Sequence, residues 1–260
     1  RFLSLLATDY SVDRGRVDAA MATLRGLGPG EDSSQAERQL RSDLVPRRIE
    51  LFKQFNNLSQ GVKFLVDMRA EIISMMPETQ ELRALNDDLR ELLTSWFDVG
   101  FLNLQRITWD APAALLEKLM AYEAVHEIRS WDDLKNRLDS DRRCFAFFHP
   151  SMPDEPLIFV EVALVSGMAD NVQELLDLHA LEGDPGKADT AIFYSISNAQ
   201  AGLAQVSFGD FLIKRVVDEL RSDLPNLRTF ATLSPVPEFR RWLDKLLAET
   251  DVAPWGLIQD

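Results

Sequence analysis

A loop of small side chains is the part of the chain best suited to chemistry. It follows an apolar run at 191–196 that is typical of a strand, and it leads into an amphipathic helix predicted at 208–220. Gly202, Ala204 and Gly209 remove side-chain bulk there, so backbone amides can approach an anion. Free amides and the positive end of a helix dipole form a phosphate site for a nucleotide or coenzyme A. The loop has neither the Gly-Lys-Ser/Thr of a Walker loop nor G-x-G-x-x-G, and it equally suits a tight strand-to-helix turn.

Serines at the ends of predicted strands are the second candidate group. Ser234 follows an apolar run at 228–233 and precedes Pro-Val-Pro, which makes a stiff turn before a helix predicted at 238–247. Side chains at strand ends of α/β sheets often face a ligand crevice, although Ser234 also suits a turn or helix cap. Ser195 and Ser197 share one face of their strand and can line the same crevice.

The histidines and the cysteine lack catalytic or metal-binding spacing. His126, His149 and His179 have no histidine or carboxylate partner at ligand spacing, so each is predicted to be a surface or structural residue and no metal is expected. Cys144 lies in an apolar run and is predicted to be a core thiol. A single cysteine excludes an internal disulfide and fits a reducing compartment.

The first part of the chain, residues 2–97, is predicted to be entirely helical. Apolar residues recur at helical spacing in four or five segments, separated by Gly and Pro, and short connections favour an antiparallel bundle. Ser59 and Thr79 are predicted to cap the last two helices. Acidic residues in this part have no partnered histidine, so packing, including packing between subunits, is its expected role.

From residue 97 onward the pattern predicts an α/β domain. Gly100 opens a run that alternates apolar and polar residues at 101–108, so a domain boundary is predicted at 96/97. Further strands are predicted at 144–148, 157–165, 191–196 and 228–233, with helices between most of them. Strands separated by helices indicate a mixed sheet, and the chain is therefore an α+β protein of two domains.

Charge and hydropathy limit the possible partners. The 260 residues carry a formal net charge of -14, which argues against a nucleic-acid or anionic-membrane surface. A polyanionic ligand must then be held by local cations and amides, for which Lys214 and Arg215 are candidates, although solvated helix charges are the commoner case. The apolar runs are too short for a membrane span, and no signal peptide opens the chain.

Four stretches resemble the malonyl-CoA decarboxylase family. They are YEAVHEIRSWDDL, RRCFAFFHPSMPDEPLIFVEVAL, AIFYSISNAQAGLAQVSFGDFLIKRVVDEL and TFATLSPVPEFRRWL, in this order along the chain. They cover most of residues 101–243, and the helical first part is similar in layout. The resemblance implies a helical domain used in oligomer assembly (1–96) and a catalytic domain of the GNAT type, the N-acetyltransferase fold (97–260), which binds an acyl-CoA in a cleft of a splayed sheet.

The resemblance also implies site residues. Ser234, in the Leu-Ser-Pro motif, is the catalytic serine of the family, and one loop grips the CoA pyrophosphate. That loop consists of Ala204, Gln205, Val206, Ser207, Phe208, Gly209 and Asp210. Gln205 stands where many relatives are expected to have a glycine, which affects the backbone path. The family's catalytic histidine, in a His-x-x-Asn-Gly-Ala string, is expected beyond residue 260, so the catalytic domain is expected to be incomplete here.

The expected function is decarboxylation of malonyl-CoA to acetyl-CoA and CO2 without a metal or an organic cofactor. The alternatives are a CoA-dependent acyltransferase of the same fold and a non-catalytic helical assembly protein. A homo-oligomer that binds neither nucleic acid nor membrane is expected. The bacterial cytoplasm is the expected location, with an organelle as the alternative.

Overall fold

The helical region spans residues 2–96 of the computed structural model, which describes residues 1–206, 208 and 211–249. Six α-helices form within these first 96 residues, one or two more than the apolar pattern predicts. They are α1 (Phe2–Thr8), α2 (Arg14–Arg25), α3 (Ser34–Asp43), α4 (Arg47–Phe55), α5 (Gly61–Met75) and α6 (Leu82–Trp96).

The last two helices begin later than the predicted caps, so those two caps were wrong. Helix α5 starts at Gly61 rather than after Ser59, because Gln60 adopts a left-handed conformation with φ of 60°. Gly61 is required there, since a Cβ atom would lie 2.0 Å from the carbonyl oxygen of Phe55. Before α6, turn hydrogen bonds from Leu82 to Thr79 and from Arg83 to Gln80 delay the regular helix. The apolar stripe of α6 is nonetheless fully buried, as its spacing predicts.

The sheet region follows, and its described residues form five strands. A single 3-10 turn (Val99–Phe101) leads into β1 (Asn103–Ile107), which is therefore shorter than predicted. The remaining elements are α7 (Ala113–Tyr122), α8 (Trp131–Arg137), β2 (Arg142–Phe148), β3 (Ile158–Val165), α9 (Val172–Leu175), β4 (Thr190–Asn198), α10 (Phe211–Asp223), β5 (Thr229–Thr232) and α11 (Phe239–Glu249).

The sheet is mixed, as predicted, with the strand order β1-β2-β3-β4-β5. Strands β1 to β4 are antiparallel neighbours, whereas β5 runs parallel to β4. The β3–β4 ladder contains a bulge between Glu161 and Val162, opposite Tyr194. A bulge inserts an extra residue into one strand and redirects the side chains beside it.

Helices cover both faces of the sheet. One face packs against α10 and against Val62 and Val66 of α5, so the helical and sheet regions share a continuous apolar core. The other face packs against α7, α8 and α9. A separate cluster centred on Leu65, Ile72 and Leu89 fills the helical region. In the described parts of the chain, no helix combines the length and the apolarity that a membrane span needs.

Candidate active site at the divergence of two parallel strands

The two parallel strands separate halfway along β4, and the candidate site lies where they part. Residues Thr190–Phe193 pair with Thr229–Thr232, and the amide of Leu233 then donates to the carbonyl of Phe193 at 2.9 Å. Strand β4 continues to Asn198, paired on its other side with β3. Because the strands are parallel, the loop after β4 and the turn after β5 lie at the same edge of the sheet.

Ser234 stands one residue beyond the last hydrogen bond between the two strands. It is exposed, and so are Pro235 and Val236 after it. Beyond this point, β4 continues for five residues, Tyr194 to Asn198, before the chain reaches the stem of the loop. At a rise of about 3.3 Å per residue, that stretch is roughly 16 Å long.

A 3-10 turn at Ala201–Leu203 forms the stem of the predicted phosphate loop. The loop continues through Ala204 and Gln205, which are exposed, to Val206 and Phe208, which are buried in the core shared by the two regions. The predicted loop residues Ser207, Gly209 and Asp210 lie outside the described residues. Val206 and Phe208 therefore anchor their part of the loop in this core.

Two backbone amides of the loop already donate hydrogen bonds to the stem. The amide of Ala204 donates to Ala201 at 3.1 Å, and the amide of Val206 donates to Leu203 at 2.9 Å. Gln205 between them is left-handed, with φ of 65°, a conformation that glycine adopts without steric cost. Gln205, which stands where many relatives are expected to have a glycine, therefore has a backbone conformation that favours glycine.

The two cations after the loop differ in their surroundings. Helix α10 spans Phe211–Asp223 in the described residues, and Phe208, where the helix was predicted to begin, lies outside it. Lys214, in its first turn, is exposed. Arg215 is partly buried and donates to the carbonyl oxygen of Leu102 at 2.7 Å, so it ties α10 to the start of β1.

A carboxylate that the sequence did not single out joins the two serines of β4. Glu123, just after α7, accepts hydrogen bonds from Ser195 at 2.8 Å and from Ser197 at 2.9 Å. The backbone amides of Val125 and His126 also donate to it, at 2.8 and 2.7 Å. Four donors therefore hold one carboxylate against the part of β4 that has separated from β5. The shared face of Ser195 and Ser197 was readable from the alternation, but their acceptor was not.

A buried ion pair lies beside the bulge and joins β3 to α8. Glu161 is 2% exposed and bonds Arg137 at 2.9 Å, and Arg137 also bonds Asp133 at 2.9 Å. Burial raises the pKa of Glu161 to about 7, against the opposing effect of Arg137. Ser130 caps α8 and explains the position of Asp133, because the amide of Asp133 donates to the Ser130 hydroxyl at 3.1 Å.

Tyr194 is the side chain at the bulge itself. Its ring is fully buried, and its hydroxyl atom is also buried, near Glu161. Burial, followed by the charge of Glu161, raises the pKa of this hydroxyl well above its ordinary value. A neutral hydroxyl therefore faces a carboxylate beside the point where the strands separate.

His149 and Cys144 have the structural positions predicted for them. His149 is buried, accepts a hydrogen bond from the amide of Ser151 at 3.1 Å and packs on Phe97. Cys144 is buried in the sheet, and burial raises the pKa of its thiol well above the ordinary value. His126 and His179 line a cavity of about 740 Å³ between the α7–α8 connection and α9. Among the described residues, no group of His, Cys, Asp and Glu has the arrangement of a metal site.

An antiparallel meander that ends in a separating parallel pair, followed by a loop and a helix, defines an α/β domain with a mixed sheet, which the chain joins to a helical region. The chain belongs to the malonyl-CoA decarboxylase family. The model of that family's C-terminal domain matches residues 100–256, and the model of its N-terminal domain matches residues 10–97.

Individual relatives support the same assignment. The chain is 41% identical over 256 residues to the mitochondrial malonyl-CoA decarboxylase of Anser anser anser, a match that covers 95% of this chain and 51% of that protein. It is 39% identical over 259 residues to the mitochondrial enzyme of Rattus norvegicus, covering 94% of this chain and 52% of that protein. The chain thus spans about half the length of these curated relatives.

Solved structures of bacterial relatives are similar over nearly the whole chain. Malonyl-CoA decarboxylase from Rhodopseudomonas palustris superposes with a TM-score of 0.89 and 45% identity, covering 97% of this chain and 61% of that one. The enzyme from Agrobacterium vitis gives a TM-score of 0.88 and 43% identity, covering 98% and 62%.

Proposed function

We propose that the protein of which this chain is part decarboxylates malonyl-CoA to acetyl-CoA and CO2. In this proposal the CoA pyrophosphate binds at residues 204–210, the pantetheine arm lies along the separated part of β4, and the thioester reaches Ser234. Family membership supports the proposal, since the relatives reported above carry this activity in their names.

One geometric observation supports the proposal more than any other. The last five residues of β4, which lie beyond its pairing with β5, extend over roughly 16 Å, a length comparable with the extended pantetheine arm of CoA. The loop and Ser234 also lie at the same edge of the sheet. A ligand anchored by its phosphates at the loop can therefore place its thioester beside Ser234.

The chemistry requires a polarised carbonyl and a proton donor to carbon. Loss of CO2 leaves an enolate on the thioester, and hydrogen-bond donors stabilise the charge that develops on its oxygen. The thioester itself is the electron sink, so the step requires neither a metal nor an organic cofactor. We assign Ser234 to this step, together with the histidine that the family resemblance implies outside the 260 residues. A serine–histidine pair can position the departing carboxylate or deliver the proton that converts the enolate to acetyl-CoA.

Assembly and location are part of the same proposal. The helical region exposes large apolar side chains, among them Phe2, Leu58 and Phe64, which suit contacts between subunits. We propose a homo-oligomer assembled through this region. We propose a bacterial cytoplasmic location, which the bacterial relatives support, with an organelle as the alternative because the curated relatives are named mitochondrial.

The test is the stoichiometry of CO2 release by the intact protein. With malonyl-CoA as the sole substrate, we expect equal amounts of CO2 and acetyl-CoA. A protein that consumes acetyl-CoA only when an amine acceptor is added would be an acyltransferase instead. A protein that binds no CoA in calorimetry would be neither, and the proposed site would be wrong.

A further inference from the structure

The stem of the loop rests directly on helix α5 of the helical region. Gly202 is buried against the helix backbone, and a Cβ atom at this position would lie 1.8 Å from the carbonyl oxygen of Val66. No side chain fits in that space, so the loop begins at a contact between two backbones. A side chain that holds this contact in place therefore also holds the start of the loop in place.

Arg69 fixes it with a buried guanidinium group. Its Nη1 donates to the carbonyl oxygen of Gly202 at 2.6 Å, and its Nε donates to Oδ1 of Asn86 on α6 at 3.1 Å. The side chain is 1% exposed, and burial is the main reason that its pKa is lowered. A buried cation is costly even when it is paired with a carboxylate, and these two acceptors are neutral oxygens.

A second contact from the same region reaches the loop itself. Nη1 of Arg90 on α6 donates to Oε1 of Gln205 at 3.1 Å, and Gln205 is the left-handed residue of the loop. Val62 and Val66 of α5 also share an apolar cluster with Val206 and Phe208. Backbone, apolar and polar contacts with the helical region therefore hold the loop at successive positions.

We propose that Arg69 is a positioning residue for CoA binding, which gives the helical region a role in the site as well as in assembly. By holding the carbonyl of Gly202, Arg69 fixes the stem and with it the position at which the proposed phosphate-binding segment begins. This inference rests on the proposed function, because it assumes that residues 204–210 bind the CoA phosphates. Arg69 donates to the protein oxygens of Gly202 and Asn86, so in this proposal it acts through the loop stem and not by contact with the ligand.

The experiment compares Arg69→Lys and Arg69→Met with Arg48→Lys in the intact protein. Arg48 is a matched control, since it is 3% exposed in the same region but bonds Asp88 and the carbonyls of Leu6 and Ala7, away from the loop. Steady-state kinetics would be measured with malonyl-CoA and with malonyl-pantetheine, which lacks the nucleotide and its phosphates. Calorimetry would give the Kd for CoA.

For Arg69→Met we expect KM for malonyl-CoA and Kd for CoA to rise about tenfold or more, with kcat within about twofold of wild type. Activity on malonyl-pantetheine should be unchanged, because that substrate does not use the loop. Arg69→Lys should fall between Met and wild type, since lysine keeps the charge but not the two-pronged geometry. Arg48→Lys should change the free energy of unfolding without changing the ratio of the kcat/KM values for the two substrates.

Equal loss of activity on both substrates, or unchanged KM and Kd, would overturn the positioning role. Failure of both Arg69 variants to fold where Arg48→Lys folds would also overturn it, because Arg69 would then serve the fold as a whole. If the wild-type protein decarboxylates neither substrate, the proposed function is wrong instead, so the two failures are distinguishable.

Discussion

The amide of Leu233 donates to the carbonyl of Phe193 in the last hydrogen bond between β5 and β4, at 2.9 Å. Ser234 is the next residue, beyond the end of β5, while β4 continues to Asn198. Beyond that bond, the described part of β4 is paired with β3 and not with β5. The position of Ser234 is therefore a consequence of where the pairing of two strands ends.

Replacing the serine at this point should remove activity and leave the fold intact. We expect Ser234→Ala to lower kcat for decarboxylation by about 100-fold or more, because proton transfer by a positioned side chain contributes at least that much. The melting temperature should stay within about 2 °C, since the side chain is exposed. CO2 release and circular dichroism would measure the two effects. Ser222→Ala, at an exposed serine of α10, is the control, and near-normal turnover of Ser234→Ala would remove Ser234 from the mechanism.

The carboxylate of Glu123 should contribute to stability through its four donors. Glu123→Gln places an amide NH2 group among hydroxyl and backbone donors, so we expect the free energy of unfolding to fall by about 1–3 kcal/mol. Urea denaturation of the variant would measure it. The matched control is Glu127→Gln, an exposed neighbour for which a change below about 0.5 kcal/mol is expected. Equal effects of the two substitutions would contradict the prediction.

The buried carboxyl of Glu161 should make stability fall as the pH rises. Its pKa is about 7 in the folded protein and has an ordinary value of 4.5. Between these values the folded protein holds a proton that the unfolded chain has released, so raising the pH favours unfolding, by up to about 1.4 kcal/mol per pH unit. The difference in unfolding free energy between wild type and Glu161→Gln should therefore shift against the wild type from about pH 5 to 7. A difference that is flat or that shifts the other way would refute this.

Because Gln205 has a left-handed backbone conformation, the stability of the protein should depend on the shape of the side chain that replaces it. Gln205→Gly and Gln205→Val both remove the hydrogen bond to Arg90, so comparing them isolates the backbone. We expect the valine variant to be less stable than the glycine variant by about 1–2 kcal/mol, because a β-branched side chain is disfavoured at positive φ. Chemical denaturation of the two proteins measures the difference. Equal stabilities would show that the loop changes its conformation when Gln205 is replaced.

Local patterns predicted the elements and their order well. The helical first part, the change of period near residue 100 and the strand–loop–helix after β4 all follow from spacing and from Gly and Pro, which act between near neighbours. Boundaries were less accurate, as at Ser59 and Thr79, where the turn conformation decided where the helix starts. The resemblance to the family supplied Ser234 and the loop, which spacing alone left open.

The amino-acid sequence by itself determined the class of fold, the helical and sheet regions and the small-residue loop, because each depends on hydrophobic period and on residues close in the chain. Only the tertiary structure decided that Glu123 holds Ser195, 72 residues away, and that Arg69 holds Gly202, 133 residues away. Such contacts depend on how helices pack on a sheet, and that packing leaves no periodic trace in the sequence. The segments that form the candidate site can therefore be predicted from the sequence, but the contacts that support the site can be identified only in the folded protein.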